Sequence, residues 1–339
     1  KEDSQLTTPE SNTINKYLRS MVNSGITHCV MEVSSHSLAL ERVRGLDFDY
    51  AIFSNITSDH LDFHKDLAHY LNAKRLLFSN LKENAVAIVN CDDDNFARII
   101  SDNNSRKVLY GKSLDSDFII SNVGFNLNGT SYSLAHNSKE YQFNTNLIGE
   151  FNAYNSASAA IIGFNERYSL AVIAEGIRST PQVPGRFEVI SNGNKKVIVD
   201  YSHTADSLEK ALKTIRQIVN ETRPIHTVFG CGGNRDKTKR PIMGEIADRL
   251  SDQIYITSDN PRFENPQEIL NDILVGVKRE NPNTIVDREV AIKNAICNSE
   301  ENAVILIAGK GHEEYQIING VKSHFSDKEI ALKYLENCN

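Results

Sequence analysis

The chain has 339 residues, 40% of them apolar and 24% charged, with a net charge of −7. That length divides into roughly two domains, and no apolar run is long enough to cross a bilayer, which excludes a membrane-spanning role. No Lys/Arg block offers the footprint that a duplex-binding surface requires, which excludes nucleic acid as a partner. The five cysteines (Cys29, Cys91, Cys231, Cys297 and Cys338) are odd in number and show no CxxC spacing. They argue against a zinc site and a disulfide framework and fit a reducing cytoplasm. Lys1 to Gln5 are polar and lack the basic-then-apolar order of a signal peptide. The missing start methionine and the abrupt opening on Leu6-Thr7-Thr8-Pro9 lead us to expect a fragment whose upstream part is absent.

In chain order, three apolar runs read as buried strands, each ending in a polar residue: His28 to Val33, Tyr50 to Asn55 and Ala85 to Asn90. Between the last two, Leu71, Leu76, Leu77 and Phe78 have the spacing of a helix over Leu67 to Leu81. Strand, helix, strand implies a parallel sheet, whose ligands gather beyond the carboxyl ends of its strands. Glu32 and Asn55 are expected at such ends. Residues 106 to 147 carry short β-prone runs that read as hairpins added to this sheet. The turn-rich Thr180 to Arg186 is the candidate boundary, with domains over 1–184 and 185–339. Beyond it the alternation restarts with strands at Lys196 to Asp200, His226 to Gly230, Gln253 to Thr257 and Ala303 to Ala308, with helical stretches between them. The fold class is therefore α/β: a mostly parallel central domain of ATPase type, incomplete at its start, then a Rossmann-like, doubly wound one.

The densest polar cluster runs from Ser54 to His64. Its two His and two Asp within Asp59 to His64 suit a hard cation or a phosphate, or simply a solvated loop with Asp59 as a helix N-cap. Glu32 ends an apolar run, where a buried carboxylate needs a partner or a metal; an exposed glutamate is the alternative. Lys74 falls four residues after Tyr70 on one helix face, and by composition alone is a solvated lysine. In the second half, the loops Gly230 to Asp236, Ser258 to Arg262 and Ala308 to Glu313 each follow a strand. They place Arg235, Asp259, Arg262 and Glu313 on one rim of one sheet, which suits a zwitterionic ligand. The glycine-rich loop at Gly230 matches neither the dinucleotide nor the Walker pattern.

Taken together, Glu32-Val33-Ser34-Ser35-His36, Asp59-His60-Leu61-Asp62, Gly149 to Asn155, Asp200 to Thr204, the Gly230 loop, Asp259-Asn260-Pro261-Arg262 and Gly309 to Glu313 resemble the Mur ligases, in their meso-diaminopimelate-adding type. The resemblance covers nearly the whole chain in order. It implies that ATP phosphorylates the terminal carboxylate of UDP-N-acetylmuramoyl-L-Ala-D-Glu (UDP-MurNAc-L-Ala-D-Glu) and that an incoming amine attacks the acyl phosphate, with magnesium and cationic groups offsetting the repulsion between anions. By the same resemblance Glu32 and His60 would be magnesium ligands, and Lys74 would carry a carbamate (N6-carboxylysine), becoming an anionic metal ligand. Thr7, Thr8, Ser34 and Arg42 would hold the nucleotide-sugar peptide. Asn152, Asn155, Arg186 and Asp200 would contact ATP, with His203 nearby. Arg235, Asp259, Asn260, Arg262, Gly309 and Glu313 would bind the amino acid, with Arg262 pairing the distal carboxylate that lysine lacks.

Two departures accompany the likeness. Ser37 stands where the family often has Gly, and no GxxxxGK[ST] phosphate loop occurs, although these ligases carry one just upstream of the Thr-Thr-Pro segment. The uridine-binding N-terminal domain is absent as well, so the chain alone is expected not to hold the ATP phosphates and to be inactive. The rival readings are a lysine-adding ligase, a folylpolyglutamate-synthase-like ligase and a non-catalytic amino-acid-binding fragment. A cytoplasmic monomer is expected.

Overall fold

The computed structural model describes residues 6–57, 61–220 and 222–338, with the side chains of Leu61 and Asp62 left aside. Two compact units emerge. The first comprises 1–123, 132–143 and 153–177, and the second 124–131, 144–152 and 178–339.

The first half opens with helices α1 (Ser11–Asn23) and α2 (Ser35–Ala39), followed by β1 (Tyr50–Phe53), α3 (Leu61–His64), α4 (Leu67–Ser79), β2 (Val86–Asn90), α5 (Phe96–Ile99) and β3 (Arg106–Gly111). Strands β4 (Phe118–Asn126), β5 (Gly129–His136) and β6 (Lys139–Thr145) complete a six-stranded sheet in the order β1-β2-β3-β4-β5-β6, in which β1, β2, β3 and β4 pair in parallel. Helices α6 (Glu150–Asn165) and α7 (Leu170–Arg178) follow. The uniformly apolar Val86-Ala87-Ile88-Val89 is buried along its length, as a central parallel strand must be. Asp66 starts α4 by accepting the His69 N–H at 2.8 Å, so the expected helix begins where an N-cap residue stands.

One expected strand is absent. Residues 26–34 form no regular secondary structure, and Val30 is 96% exposed. A β-prone run forms a strand only where a neighbour receives its hydrogen bonds, and among the described residues none lies beside it. Glu32 is accordingly exposed, not a buried strand end.

The second half contains β7 (Glu188–Asn192), β8 (Lys195–Asp200), α8 (Ala205–Val219), β9 (Ile225–Phe229), α9 (Lys239–Leu250), β10 (Gln253–Ile256), α10 (Pro266–Leu274), β11 (Asn283–Thr284), α11 (Arg288–Cys297), β12 (Val304–Ala308), the β13 (Tyr315–Ile318) and β14 (Val321–His324) hairpin, and α12 (Asp327–Asn337). Its main sheet runs β11-β10-β9-β12-β8-β7, parallel throughout except for the β7–β8 edge pair. Buried side chains of α8, α9 and α10 pack in one cluster with this sheet, and those of α11 and α12 in another. This is the doubly wound arrangement, and it puts the loops after β9, β10 and β12 on one rim.

The expectation of unpaired cysteines fails at one place. Cys297, closing α11, is disulfide-bonded to Cys338, the C-cap of α12, while Cys29, Cys91 and Cys231 are free. Spacing could not reveal this pair, because packing of two helices brings together residues 41 positions apart. Cys297→Ser should lower the unfolding free energy under oxidising conditions by roughly 3 to 4 kcal/mol, the chain-entropy value for a loop of that length. Equal denaturant midpoints for the two proteins without reductant would show that the bond does not stabilise the fold.

Candidate functional site

In the first unit the site is assembled around one hydroxyl. Thr8, almost fully buried, donates through Oγ1 to the Glu32 carbonyl at 2.8 Å and accepts the Ser34 N–H at 3.0 Å. Arg42 donates to the Thr8 carbonyl at 3.3 Å and pairs with Glu10 at 3.0 Å. Ser34 caps α2 by accepting the Ser37 N–H at 3.1 Å, and Ser37, buried, returns a bond to the Ser34 carbonyl at 2.6 Å. Thr8, Ser34 and Arg42, expected at the nucleotide-sugar peptide, thus share a single network that also takes in the backbone carbonyl of Glu32, with Thr7 exposed beside it.

Next to this network lies a buried imidazole. His64 is hydrogen-bonded through Nε2 to Ser35 Oγ at 2.8 Å and stacks on Tyr70 with ring centroids 5.2 Å apart. The Lys74 ammonium sits 6.0 Å from the same Tyr70 ring. Burial pushes the Lys74 pKa down, and the nearby Glu32 charge only partly opposes this. Lys74 is therefore not the solvated lysine that composition suggested. His60 and Asp59 lie outside the described residues, as does the Asp62 side chain. Among the described residues no three His, Cys, Asp or Glu converge on a point that could hold a metal.

Of the residues expected at ATP, Asn152 is buried on α6 with its amide donating to the Ile148 carbonyl at 2.9 Å, and Asn155 is exposed. Arg186 lies over the Tyr201 ring at 4.7 Å, and Tyr201 has His203 and His312 as ring neighbours at 4.7 and 5.6 Å. Asp200 accepts the Phe187 N–H at 2.7 Å and the Ser202 N–H at 2.9 Å, so its carboxylate ties the end of β8 to the strand before it.

The three rim loops converge around Asn260. Its Nδ2 donates to Glu313 at 2.9 Å, while its Oδ1 accepts from the Lys310 ammonium at 3.2 Å and from the Ile317 N–H at 3.0 Å. Lys310 is completely buried, donates to Glu313 at 3.2 Å and stands 3.7 Å from Asp259. Oδ1 of Asp259 is buried with no hydrogen-bond partner among the described residues. Gly309, at φ 119°, turns the third loop, and a Cβ there would stand 3.5 Å from the Asp259 carboxylate. Arg262 adopts the left-handed conformation, φ 54°, fixed by its N–H donating to Ile317 at 3.0 Å. Its Nη1 holds the Gly233 carbonyl at 2.9 Å, and Arg235 is exposed beside Gly232.

Sequence reasoning missed the supports of this rim. Lys310 stood inside a quoted motif without a role. Arg240, fully buried, donates to Glu264 twice at 3.0 Å, to Asp272 at 2.8 Å and to the Gly232 carbonyl at 3.3 Å. Glu264 also accepts the Asn234 N–H, which anchors the Gly230 loop. The Arg240 guanidinium, with Asn234 and Lys237, pulls the Glu264 pKa down to about 2.

Family comparison agrees with this architecture. Residues 1–163 match the Mur ligase middle domain and residues 185–311 the Mur ligase glutamate ligase domain. The chain belongs to the Mur ligase family. It is 42% identical over 339 residues to UDP-N-acetylmuramoyl-L-alanyl-D-glutamate--2,6-diaminopimelate ligase 1 of Clostridium acetobutylicum, which covers 99% of this chain and 69% of that protein. A solved structure titled as a ligase of the same name superposes with a TM-score of 0.68 at 32% identity, over 98% of this chain and 69% of the other. MurF ligase from Thermotoga maritima, solved in complex with ADP, shares the fold at a TM-score of 0.66 and 16% identity, over 90% of this chain and 65% of the other.

Because the folded-state pKa of Glu264 is depressed, its contribution to stability is present above the unfolded value of 4.5 and is lost as pH falls toward about 2. Acid titration of wild type and Glu264→Gln should show the stability advantage of wild type shrinking as pH falls between those values. Parallel stability curves over that range would remove Glu264 as the anchor.

Proposed function

We propose that the chain takes part in the amide-forming step that joins meso-diaminopimelate to UDP-MurNAc-L-Ala-D-Glu at the expense of ATP, as the portion that binds the peptide precursor and the incoming diamino acid. The observation that carries this reading is the Asn260–Lys310–Glu313 cluster with Arg262 held in a strained turn beside it. An amino acid with two ammonium and two carboxylate groups needs both signs of charge at fixed separation, and a rim of Asp259, Glu313, Arg235 and Arg262 offers both. Asp259 Oδ1, which accepts no hydrogen bond and has the Lys310 ammonium 3.7 Å away, suits a ligand ammonium. The two hydrogen bonds of the Arg262 guanidinium both leave from Nη1, so its other donors are available for the distal carboxylate that distinguishes diaminopimelate from lysine. This favours the diaminopimelate-adding reading over a lysine-adding or folylpolyglutamate-type ligase.

Mur ligases use ATP with Mg2+. In this chain Glu32, His60 and Lys74 would hold magnesium, Lys74 as a carbamate. The surroundings of Lys74 support this: burial favours the neutral amine, the form that can take up carbon dioxide, and the resulting carbamate would add hard anionic oxygens near the Glu32 charge. The metal supplies charge neutralisation between phosphate and carboxylate. Thr7, Thr8, Ser34 and Arg42 would seat the nucleotide-sugar peptide, with their hydrogen bonds already organised around Thr8. Asn152, Asn155, Arg186, Asp200 and His203 would meet the nucleotide, the Arg186–Tyr201 stack offering a cationic face to phosphate or a flat one to the base. The boundary at 184/185, a cytoplasmic location and a monomeric state complete this reading. Among the described residues no helix is long and apolar enough to cross a membrane.

In the ligase assay, Arg262→Ala should reduce kcat/KM for diaminopimelate by about 2 to 4 kcal/mol, as expected for a lost charge-assisted pair. An unaltered KM for that amino acid would overturn the assignment. Lys74→Ala should abolish most turnover without recovery in bicarbonate; turnover at the wild-type rate would eliminate the carbamate.

A further inference from the structure

Arg288 is the first residue of α11, far in sequence from any loop of the site, and it is 1% exposed. Its guanidinium holds the Asp327 carboxylate in a two-pronged pair, Nε to Oδ1 at 2.8 Å and Nη2 to Oδ2 at 2.7 Å. Asp327, the first residue of α12, is also completely buried. The remaining donors reach the backbone: Nη1 to the Ser258 carbonyl at 3.2 Å and Nη2 to the Ala308 carbonyl at 3.0 Å. Ser258 immediately precedes Asp259, and Ala308 immediately precedes Gly309.

The two loops so joined need such a link. Strands β10 and β12 are not neighbours, because β9 lies between them. No β10–β12 ladder hydrogen bond therefore sets the distance between the bases of the two loops, which farther out are joined by Asn260 to Glu313 and Lys310 and by a bridge from Arg262 to Ile318. One planar group whose donors diverge at fixed angles can set it, and a lysine with a single charged nitrogen cannot. Burial works against the charge of Arg288, but Asp327, Asp259 and Glu313 together outweigh it and hold the guanidinium protonated.

We infer that Arg288, oriented by Asp327, is a positioning residue that fixes the separation of the two amino-acid-binding loops and so tunes the enzyme for its amino acid substrate. The inference rests on the amino-acid reading of those loops. A misplacement of about 1 Å at a binding group costs up to roughly a hundredfold in rate, so the effect should fall on one substrate.

The test uses three variants of the whole enzyme, with KM measured separately for diaminopimelate, ATP and the nucleotide-sugar peptide, and with melting temperature as the measure of folding. Arg288→Lys should raise the KM for diaminopimelate on the order of tenfold or more, with the other two constants within about twofold. Because an apolar residue at 288 alone would leave Asp327 as a buried unpaired charge, the second variant combines Arg288→Met with Asp327→Leu, an apolar replacement of the kind that often preserves stability. A folded double variant with the same selective loss supports the inference. Wild-type KM for diaminopimelate in a folded variant, or an equal rise in all three constants, overturns it. Arg262→Ala separates the two levels. If it weakens diaminopimelate while both Arg288 variants do not, only the positioning role fails; if it leaves diaminopimelate unaffected, the reading of the loops fails and the inference falls with it.

Discussion

A guanidinium or ammonium group with no access to water must have its charge balanced and its donors engaged, or the fold containing it is strongly destabilised. Three such groups lie under the rim of the second sheet: Arg240, Arg288 and Lys310, all at or below 1% exposure. The rim is where parallel strands end and their backbones leave the ladder, so each carbonyl there needs a new donor. The buried cations supply several of them, at Gly232, Ser258 and Ala308. Their anionic partners come from elsewhere in the unit: Glu264 and Asp272 for Arg240, Asp327 for Arg288, Glu313 for Lys310. Irregular backbone between strand and helix is thereby held as firmly as regular structure, which a loop must be if it is to place charges for a small ligand.

The first unit solves the same problem with neutral groups. Thr8, Ser34 and Ser37 join residues up to 26 positions apart through hydroxyl and amide hydrogen bonds, and only Arg42, held to the Thr8 carbonyl and Glu10, carries charge into that network. Its half-buried cation, Lys74, has no carboxylate within ion-pair distance among the described residues, in contrast to Lys310. A lysine in that position lowers its own cost by giving up its proton, which is also the state from which a carbamate forms. The mismatch that would count as a defect in a structural lysine is an asset in one proposed to change its charge.

What could be read from the sequence follows the range of the interactions. Val86 to Asn90 and Val304 to Ala308 announce central strands because burial on both faces demands continuous apolar runs, and the spacing of Leu71, Leu76, Leu77 and Phe78 announces α4. The rim loops were legible because parallel strands must end on one side. His28 to Val33 has a strand's composition without a strand's neighbours, and composition cannot report neighbours. Arg288 with Asp327, Arg240 with Glu264, and Cys297 with Cys338 are separated by 39, 24 and 41 positions. Each reads locally as a surface charge or a spare thiol, and only the packing of helices against the sheet turns them into supports.

That packing also joins the residues proposed for the nucleotide to those proposed for the amino acid. Gly185, at φ 66°, has no room for a side chain: a Cβ would fall 2.1 Å from the His312 nitrogen, and one on Gly311 would fall 2.7 Å from the Gly185 carbonyl and 2.8 Å from Tyr201. The backbone leading to Arg186 therefore lies flush on the loop that carries Glu313. Tyr201 fills the remaining space, under Arg186 and beside His312. The Asp200 carbonyl accepts the Gly309 N–H at 3.0 Å, so the end of β8 and the start of the Glu313 loop also share a hydrogen bond. Close-packed backbone has no slack to absorb a shift. A displacement of Arg186 would therefore press on the Glu313 loop at Gly185 and Gly311, where the two backbones leave no room for a side chain.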